Sequence, residues 1–262
     1  MFLPEKIHNL IADEHYTEDD IGMSRSSVLI FENHVLKVQE CSEEAENEYC
    51  MMRYLKGKLP VPEIYAHEVS GGRSYLLMSK CTGNMACDSG YMENSRVLCK
   101  LLADGLQKLW SVPISDCPSD WRLPHKLEIA KYNIENGLVD LENVEPGTFG
   151  ENGFRDPAHL LQWLYDNMPK EEPVLSHGDY CLPNLFGVRD QATGYIDLGR
   201  TGIADKWCDI ALCYRSLAHN YGGKYSDGHV YPGYDEMCLF HELGMDPDWE
   251  KIRYYILLDE LF

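Results

Sequence analysis

The amino-acid sequence predicts an α+β fold of two lobes, with a β-rich N-terminal lobe and a mainly helical C-terminal lobe. Short β-leaning runs are concentrated in the first 80 residues, whereas most helical patterns lie after residue 90. Residues 79–90 contain two glycines and separate the two kinds of pattern, as a connector would. We therefore expect one lobe over residues 1–81 and a second over residues 82–262.

Three strands and one helix are predicted in the N-terminal lobe. Two of the strands form a hairpin, because the polar pair Glu32-Asn33 separates two β-leaning runs. Pro60 and Pro62 end the helix, since proline cannot continue one. The predicted ranges are Ser26–Phe31, His34–Val38 and Ser74–Met78 for the strands and Glu43–Leu55 for the helix.

The C-terminal lobe is predicted from helical spacing of apolar residues in five segments. A sixth apolar run, Ile252–Leu258, is expected to dock the last helix on the core. The five predicted helices are Arg96–Trp110, Leu123–Asn136, Asp156–Met168, Trp207–Leu217 and Asp235–Leu243.

Two short strands of this lobe are predicted to end at acidic residues. Pro173–Leu175 leads into His177-Gly178-Asp179, and Gly194–Ile196 leads into Asp197. Asn184 follows Asp179 by five positions, which is the spacing of a kinase catalytic loop, and Asp197-Leu198-Gly199 resembles the metal-holding turn of kinases. An aspartate in a turn more often caps a helix or bonds its own backbone. The joint pattern favours a site, because ligands are bound where strands end in loops.

Phosphoryl transfer explains why these residue types occur together. One carboxylate must orient the attacking hydroxyl and accept its proton, which Asp179 can do. Oxygen ligands must hold Mg²⁺ against the nucleotide phosphates, which Asn184 and Asp197 can do. The combination of this site with the two predicted lobes indicates a protein-kinase-like fold.

A lysine inside the second apolar strand is an unusual placement for a charge. Lys37 could pair with Glu48 on the following helix and grip the nucleotide phosphates, as in protein kinases. A lysine on the solvent face of an edge strand is the alternative, and the presence of Asp179 and Asp197 favours the nucleotide role. The polar segment 22–27 could lie over phosphates, although it is not a GxGxxG loop.

Charge and cysteine content narrow the class of protein. The net charge is −20, which argues against nucleic acid as a partner and suits a polycationic substrate. Residues 1–81 contain 8 basic and 14 acidic residues, so the remaining 15 basic and 29 acidic residues make the second lobe the more acidic one. No run reaches the roughly 18 apolar residues of a membrane span. The acidic start is unlike a signal peptide, and the ten cysteines form no CxxC pair, so we expect reduced thiols in a cytoplasmic protein.

Two strings resemble the signature region of the aminoglycoside 3'-phosphotransferases: LSHGDYCLPNLFGV and GYIDLGRTGIADKWCDIALCYRSL. Shorter matches extend over nearly the whole chain, namely GMS, MMRYLKGKLPVPEIY, LLMS, ISDCP and the terminal DWEKIRYYILLDELF. The DLGRxGxADKWxDIA string and the DELF end are specific, whereas HGDxxxxN is shared with choline, homoserine and other small-molecule kinases. The resemblance implies an enzyme that uses ATP or GTP with Mg²⁺ to phosphorylate a cationic aminoglycoside, which would confer antibiotic resistance.

The resemblance also implies individual roles. Asp179 would be the catalytic base, and Arg200 would lie close to the transferring phosphate. Asp205 and Asp209 would brace the loop. The residues implied for the nucleotide are Met23, Ser24, Lys37, Glu48, Ser79, Cys81 and Ile196, those for the metal are Asn184 and Asp197, and those for the substrate are Asp179, Arg215, Asp259, Glu260 and the terminal carboxylate of Phe262.

Three departures from the family pattern bear on substrate range. Val35 occupies a position where some relatives have an aromatic residue that stacks on adenine, so we expect no such stacking. The stretch His219–Tyr234 is longer than is usual in the family and would lie near the substrate mouth. Residues 180–183 are less polar than expected for the loop.

The alternatives are a kinase of the same fold acting on another small amino alcohol, and a nucleotide-binding protein without turnover. The terminal residues argue against the first alternative, and the intact set of Lys37, Asp179, Asn184 and Asp197 argues against the second. We expect a monomer or a weak homodimer that binds neither nucleic acid nor membrane. We also expect that deletion of Asp259–Phe262 damages aminoglycoside use while the fold and ATP binding stay largely intact, because chain ends are normally dispensable.

Overall fold

The computed structural model describes residues 3–11, 14–18, 26–226 and 228–262. Within these ranges it has a mixed α+β architecture, with an antiparallel sheet in the N-terminal part and a mainly helical C-terminal part. The predicted fold class is therefore confirmed.

A five-stranded sheet dominates the N-terminal part, in the order β1-β2-β3-β5-β4 with every neighbouring pair antiparallel. Ser42 caps helix α2 by accepting a hydrogen bond from the Ala45 N–H at 3.1 Å, and acidic residues in the first turn favour the helix N-terminus. The elements are α1 (Glu5–Ile11), β1 (Thr17–Glu18), β2 (Ser27–Ile30), β3 (His34–Glu40), α2 (Glu43–Leu55), β4 (Ile64–Ser70) and β5 (Arg73–Ser79).

The C-terminal part contains helices and two small antiparallel sheets, β6-β8-β9 and β7-β10. The elements are β6 (Asn84–Met85), α3 (Ser89–Met92), α4 (Ser95–Ser111), α5 (Leu123–Glu135), α6 (Pro157–Asp166), β7 (Pro173–Ser176), β8 (Leu185–Val188), β9 (Gln191–Tyr195), β10 (Gly202–Asp205), α7 (Lys206–Tyr221), α8 (Cys238–Leu243) and α9 (Trp249–Asp259), with 3₁₀ turns at Leu182–Asn184 and Leu198–Arg200.

Most sequence predictions match these elements, but some differ. Helix α8 begins at Cys238 rather than at Asp235, because the Asp235 carboxylate accepts the Met237 N–H at 2.9 Å and forms a turn before the helix. The predicted connector includes β6 and α3. Helix α1 and strands β1, β4, β8 and β10 were not predicted; polar His67 and Glu68 interrupt the apolar pattern of β4.

The described residues form two hydrophobic cores. The smaller one joins α1 to the five-stranded sheet through residues such as Ile7, Leu36 and Leu77. The larger one includes Met51 and Leu55 of α2 together with the helices of the C-terminal part. Because this core extends across residue 81, α2 packs against both parts, and the division at that residue stays a prediction.

None of the helices in the described ranges combines the length and the apolar character that a bilayer-spanning helix requires. All ten cysteines of the sequence carry free thiols.

Candidate active site

Lys37 is the centre of a buried network of charges. Its side chain, only 9% exposed, extends from β3 and lies 2.9 Å from Glu48 Oε2 and 2.6 Å from Asp197 Oδ1. Gln39 donates a further hydrogen bond to Glu48 at 3.0 Å. The lysine thus joins the sheet, helix α2 and the turn that follows β9, and the surface-lysine alternative is wrong for this side chain.

Burial and charge shift the pKa values of this network in different directions. Burial lowers the pKa of Lys37, but the charges of Glu48 and Asp197 outweigh it and raise that pKa above its ordinary value. Burial raises the pKa of Glu48. Burial also acts to raise the pKa of Asp197, but the charge of Lys37 and its hydrogen bond lower it overall. Asp197 is therefore held as a carboxylate.

The turn that carries Asp197 has an unusual backbone. Asp197 has φ of 59° and ψ of 55°, the left-handed region that non-glycine residues seldom adopt. Its side chain remains 42% exposed although one oxygen contacts Lys37. Such strain is typically retained at ligand sites, because the surrounding structure must enforce it.

The loop after β7 brings Asp179 and Asn184 together. The Asn184 amide nitrogen donates to the carbonyl oxygen and to Oδ2 of Asp179, both at 3.0 Å. The Cys181 thiol donates to the other carboxylate oxygen, Oδ1, at 3.0 Å. Burial, followed by the charge of Asp179, raises the pKa of Cys181 well above its usual range, so the thiol keeps its proton and acts as a donor. The Asp179 carboxylate is therefore oriented from both sides.

Backbone hydrogen bonds join this loop to the Asp197 turn. The Ile196 N–H donates to the Asn184 carbonyl oxygen at 3.1 Å. The ring Nε2 of His177 is 3.0 Å from the Ile196 carbonyl oxygen, and its Nδ1 is 3.3 Å from the Asp179 N–H. A neutral ring with the proton on Nε2 satisfies both contacts. His177, which is fully buried, thus sets the spacing of the two acidic residues.

Asp209 of helix α7 braces the loop that follows β7, which is the role that the family resemblance implies for it. It is fully buried and accepts hydrogen bonds from Ser176 Oγ, the His177 N–H and the Gly178 N–H, at 2.9, 3.0 and 2.9 Å. Gly178 has φ of 84°, and a Cβ there would meet the Arg200 carbonyl oxygen at 2.1 Å. Only glycine permits this close approach of the two loops.

Asp205 has a bracing position at the start of the same helix. It accepts the Trp207 N–H at 3.3 Å, which caps α7, and its other oxygen accepts hydrogen bonds from Lys251 and Tyr255 of α9 at 3.1 and 2.9 Å. Asp205 therefore fixes α9, and with it the chain end, against α7.

Helix α2 is tied to the turn after Asp197 by two residues that the sequence did not single out. Asn47, which is buried, donates to the carbonyl oxygens of Gly199 and Thr201 at 2.8 and 2.9 Å. Glu44 lies 2.8 Å from Arg200 Nε. No local pattern marks these positions, because their partners are about 150 residues away in the chain.

The acidic chain end is paired with two arginines. Arg215 contacts Asp259 Oδ2 and lies 3.4 Å from Glu260 Oε1. Arg200 lies 3.3 Å from Asp259 Oδ1, and its guanidinium is 4.8 Å from the centre of the Phe262 ring. Arg200 is thus joined to the chain end as well as to Glu44.

The two carboxylates of this end differ in acidity. Burial acts to raise the pKa of Asp259, but the charges of Arg215 and Arg200 lower it overall. Burial raises the pKa of Glu260 to about 6, although the Glu145 N–H donates to it at 2.9 Å. Glu145 was not singled out in the sequence. Its contact with Glu260 joins the acidic chain end to the loop before α6.

Two of the remaining residues assigned to the nucleotide, Ser79 and Cys81, lie at or just after the end of β5. The Ser79 N–H donates to the Glu63 carbonyl oxygen at 2.9 Å, and the Glu63 N–H donates to Ser79 Oγ at 2.9 Å. Burial raises the pKa of Cys81 to about 12, and its side chain packs on Gly194. Ile196 is half-buried, and Met23 and Ser24 lie outside the described residues.

Within the described ranges, no group of three His, Cys, Asp or Glu side chains has the arrangement of a metal site. The oxygen donors that the sequence predicts for Mg²⁺ are one amide, on Asn184, and one carboxylate, on Asp197. Two protein ligands suit Mg²⁺ that is shared with nucleotide phosphates.

The chain is similar in sequence to known phosphotransferases. A model of the phosphotransferase enzyme family matches residues 19–253. An aminoglycoside 3'-phosphotransferase from Enterococcus faecalis is 38% identical and covers 100% of this chain and 99% of its own length. One from Staphylococcus aureus is also 38% identical, with the same coverage of both chains.

Solved structures share the fold at lower identity. The crystal structure of a type VIII aminoglycoside-3'-phosphotransferase has a TM-score of 0.78 at 24% identity and covers 95% of this chain and 94% of its own. An aminoglycoside phosphotransferase from Streptomyces rimosus in complex with ADP and streptomycin has a TM-score of 0.77 at 22% identity, with 98% and 97% covered.

Proposed function

The chain belongs to the aminoglycoside 3'-phosphotransferase family, and we propose that it transfers the γ-phosphate of ATP or GTP to a hydroxyl, the 3'-hydroxyl, of an aminoglycoside antibiotic. The observation that carries this proposal is that two loops with an aspartate each lie side by side. In one loop Asn184 contacts Asp179, and Asp197 of the other loop contacts Lys37. An added phosphate weakens the drug's grip on ribosomal RNA, which depends on positive charge, so the enzyme confers resistance.

Asp179 is the proposed general base. Cys181 and Asn184 hold its carboxylate, so the group is oriented before the substrate arrives. It accepts the proton of the attacking hydroxyl as the new O–P bond forms. Such a pre-set geometry avoids the entropy cost of orienting the base during the reaction.

Lys37 is the proposed ligand of the α- and β-phosphates, with Glu48 holding its ammonium in place. The backbone of Ser79 and Cys81 receives the adenine edge, Ile196 covers one face of the base, and Met23 and Ser24 approach the phosphates. Because Asn184 uses its amide nitrogen on Asp179, its oxygen is available to Mg²⁺, together with Asp197. Bound Mg²⁺ would neutralise charge on the transferring phosphate.

The acidic chain end is the proposed site for the ammonium groups of the substrate. Asp259, Glu260 and the terminal carboxylate of Phe262 supply the negative charge, and Arg215 orders them. Arg200, which already contacts Asp259, lies between this end and the Asp197 turn and is proposed to approach the transferring phosphate. We further propose that the protein acts in the cytoplasm as a monomer or weak homodimer.

A coupled assay of ADP release tests the proposal. The purified chain is given ATP or GTP, Mg²⁺ and a panel of aminoglycosides, with choline and other amino alcohols as the alternative substrates. We expect turnover with aminoglycosides that carry a 3'-hydroxyl and none with analogues that lack it. Turnover with the amino alcohols alone would instead identify a different kinase of the same fold.

A further inference from the structure

A lysine of the protein, Lys224, lies beside Glu145, the residue that contacts the acidic chain end. Lys224 follows the end of α7, and its Nζ is 3.4 Å from Glu145 Oε1. The same oxygen is 2.9 Å from Nε2 of His219, which stands one turn after Arg215 on that helix. The Lys224 N–H donates to the His219 carbonyl oxygen at 3.0 Å, so the helix end directs the lysine toward Glu145.

Glu145 adjoins the proposed substrate site. Its backbone N–H donates to Glu260 Oε2 at 2.9 Å, and Glu260 in turn contacts Arg215. Burial acts to raise the pKa of Glu145, but the hydrogen bond and charge of His219 and the charge of Lys224 lower it overall. Glu145 is therefore held as a carboxylate, with His219 and Lys224 as its partners.

Arg215 and Lys224 differ in how firmly they are held. Arg215 is 17% exposed and contacts both Asp259 and Glu260, so removing it would break two ion pairs at once and leave Glu260 without a cation. Lys224 is 42% exposed, makes one ion pair and stands next to Gly222 and Gly223. A part-exposed lysine pair is weak, and a flexible lysine can exchange its partner at little cost.

We propose that Lys224 is a tethered cation that occupies Glu145 until an ammonium group of the substrate displaces it, which makes Lys224 a specificity-determining residue. This inference rests on the proposed function, because it assigns Glu145 to the same cationic substrate. A substrate with an ammonium group in reach of Glu145 replaces Lys224, whereas a ligand without one leaves the lysine in place. Lys224 therefore affects which substrates bind well.

Two substitutions and one matched control test the inference. Lys224→Gln removes the charge, and Lys224→Arg keeps it. Lys56→Gln removes an equal charge from an exposed pair with Glu63, 3.1 Å apart, on the N-terminal part of the molecule. For a kanamycin-type aminoglycoside we expect K224Q to lower KM about two- to fivefold, the range set by part-exposed ion pairs, while K224R and K56Q stay near wild type. The KM for ATP should not change.

Binding of spermine, measured by calorimetry in the presence of ADP, separates this inference from the proposed function. K224Q should bind spermine about two- to fivefold more tightly than wild type, by the same reasoning. If wild type phosphorylates no aminoglycoside, the proposed function fails, and the spermine result still decides the role of Lys224. The inference is overturned if K224Q behaves like K56Q or if K224Q binds either the aminoglycoside or spermine more weakly than wild type. It is also overturned if neither K224Q nor wild type binds spermine.

Discussion

The thiol of Cys181 donates a hydrogen bond to Oδ1 of Asp179 at 3.0 Å. Asn184 takes the other carboxylate oxygen, so each oxygen of the proposed base has its own donor. The sequence offered no signal for this role, because a small cysteine in a loop is more often a buried apolar residue. We infer that Cys181 is a positioning residue for Asp179.

Replacing Cys181 with alanine should lower kcat more than it changes KM. A hydrogen bond of this kind contributes about 0.5–1.5 kcal/mol, which corresponds to roughly a two- to twelvefold loss of kcat. Cys181→Ser retains a donor and should recover most of the lost rate. Steady-state kinetics for both substrates decide the question: equal rates for the alanine and serine variants would assign Cys181 to packing alone.

Asp179→Asn should abolish most phosphoryl transfer while ATP affinity stays near wild type. The amide cannot accept the hydroxyl proton, and general-base contributions are about 10²–10⁴-fold. Single-turnover kinetics with nucleotide binding measured separately give both quantities. Turnover close to wild type would refute the assignment of Asp179 as the base.

Lys37→Met should weaken nucleotide binding and destabilise the protein at the same time. The substitution leaves Glu48 buried without its cation, and breaking a buried pair costs about 3–5 kcal/mol. The double variant Lys37→Met/Glu48→Gln removes that buried charge, so it should regain stability but not nucleotide affinity. Thermal unfolding and ADP titration of the single and double variants test this. A nucleotide affinity that follows stability, recovering in the double variant, would contradict a phosphate-binding role for Lys37.

The sequence predicted the site better than it predicted what holds the site. Asp179, Asn184 and Asp197 could be predicted because their spacing is local and their chemistry is distinctive. Asn47 and Glu44 were not, because they contact the turn near Gly199 through tertiary packing. The secondary structure shows the same contrast: the long helices α2, α4, α5, α6 and α7 were predicted, whereas β10, four residues paired with β7, depends on a partner distant in sequence.

The chain end also shows what the sequence could not reveal. Asp259, which we expected to contact the substrate, already contacts Arg200 and Arg215. Leu261 is fully buried, and its carbonyl oxygen accepts a hydrogen bond from Asn133 at 2.9 Å. The structure therefore argues against the expectation that these residues can be removed without harm to the fold.

Deletion of residues 259–262 should lower the thermal stability of the protein as well as its use of aminoglycosides. The deletion removes the buried Leu261 side chain and leaves Arg215 without carboxylate partners at the chain end. Leu261→Ala alone should cost about 2–5 kcal/mol, the usual range for a buried leucine. Chemical unfolding measures both variants, and a truncated protein as stable as wild type would show that the end is not part of the core.

Glu260 should make substrate affinity and stability change in opposite directions with pH. Burial raises its pKa in the folded protein from 4.5 to about 6. At this site the folded state therefore binds more protons than the unfolded state, so the contribution of Glu260 to stability is greatest below pH 4.5 and is lost as the pH rises through 6. The shift corresponds to at most about 2 kcal/mol. Over the same window the carboxylate gains its charge, so KM for the aminoglycoside should fall.

Glu260→Gln supplies the control for this pH dependence, because glutamine has nearly the same shape and does not titrate. In this variant both changes should flatten between pH 4.5 and 7, and the KM for ATP should be the same as in wild type at each pH. Unfolding curves and aminoglycoside kinetics measured at each pH give the comparison. If wild type and variant show parallel profiles, Glu260 does not titrate in this range, and another group must cause any pH dependence of binding.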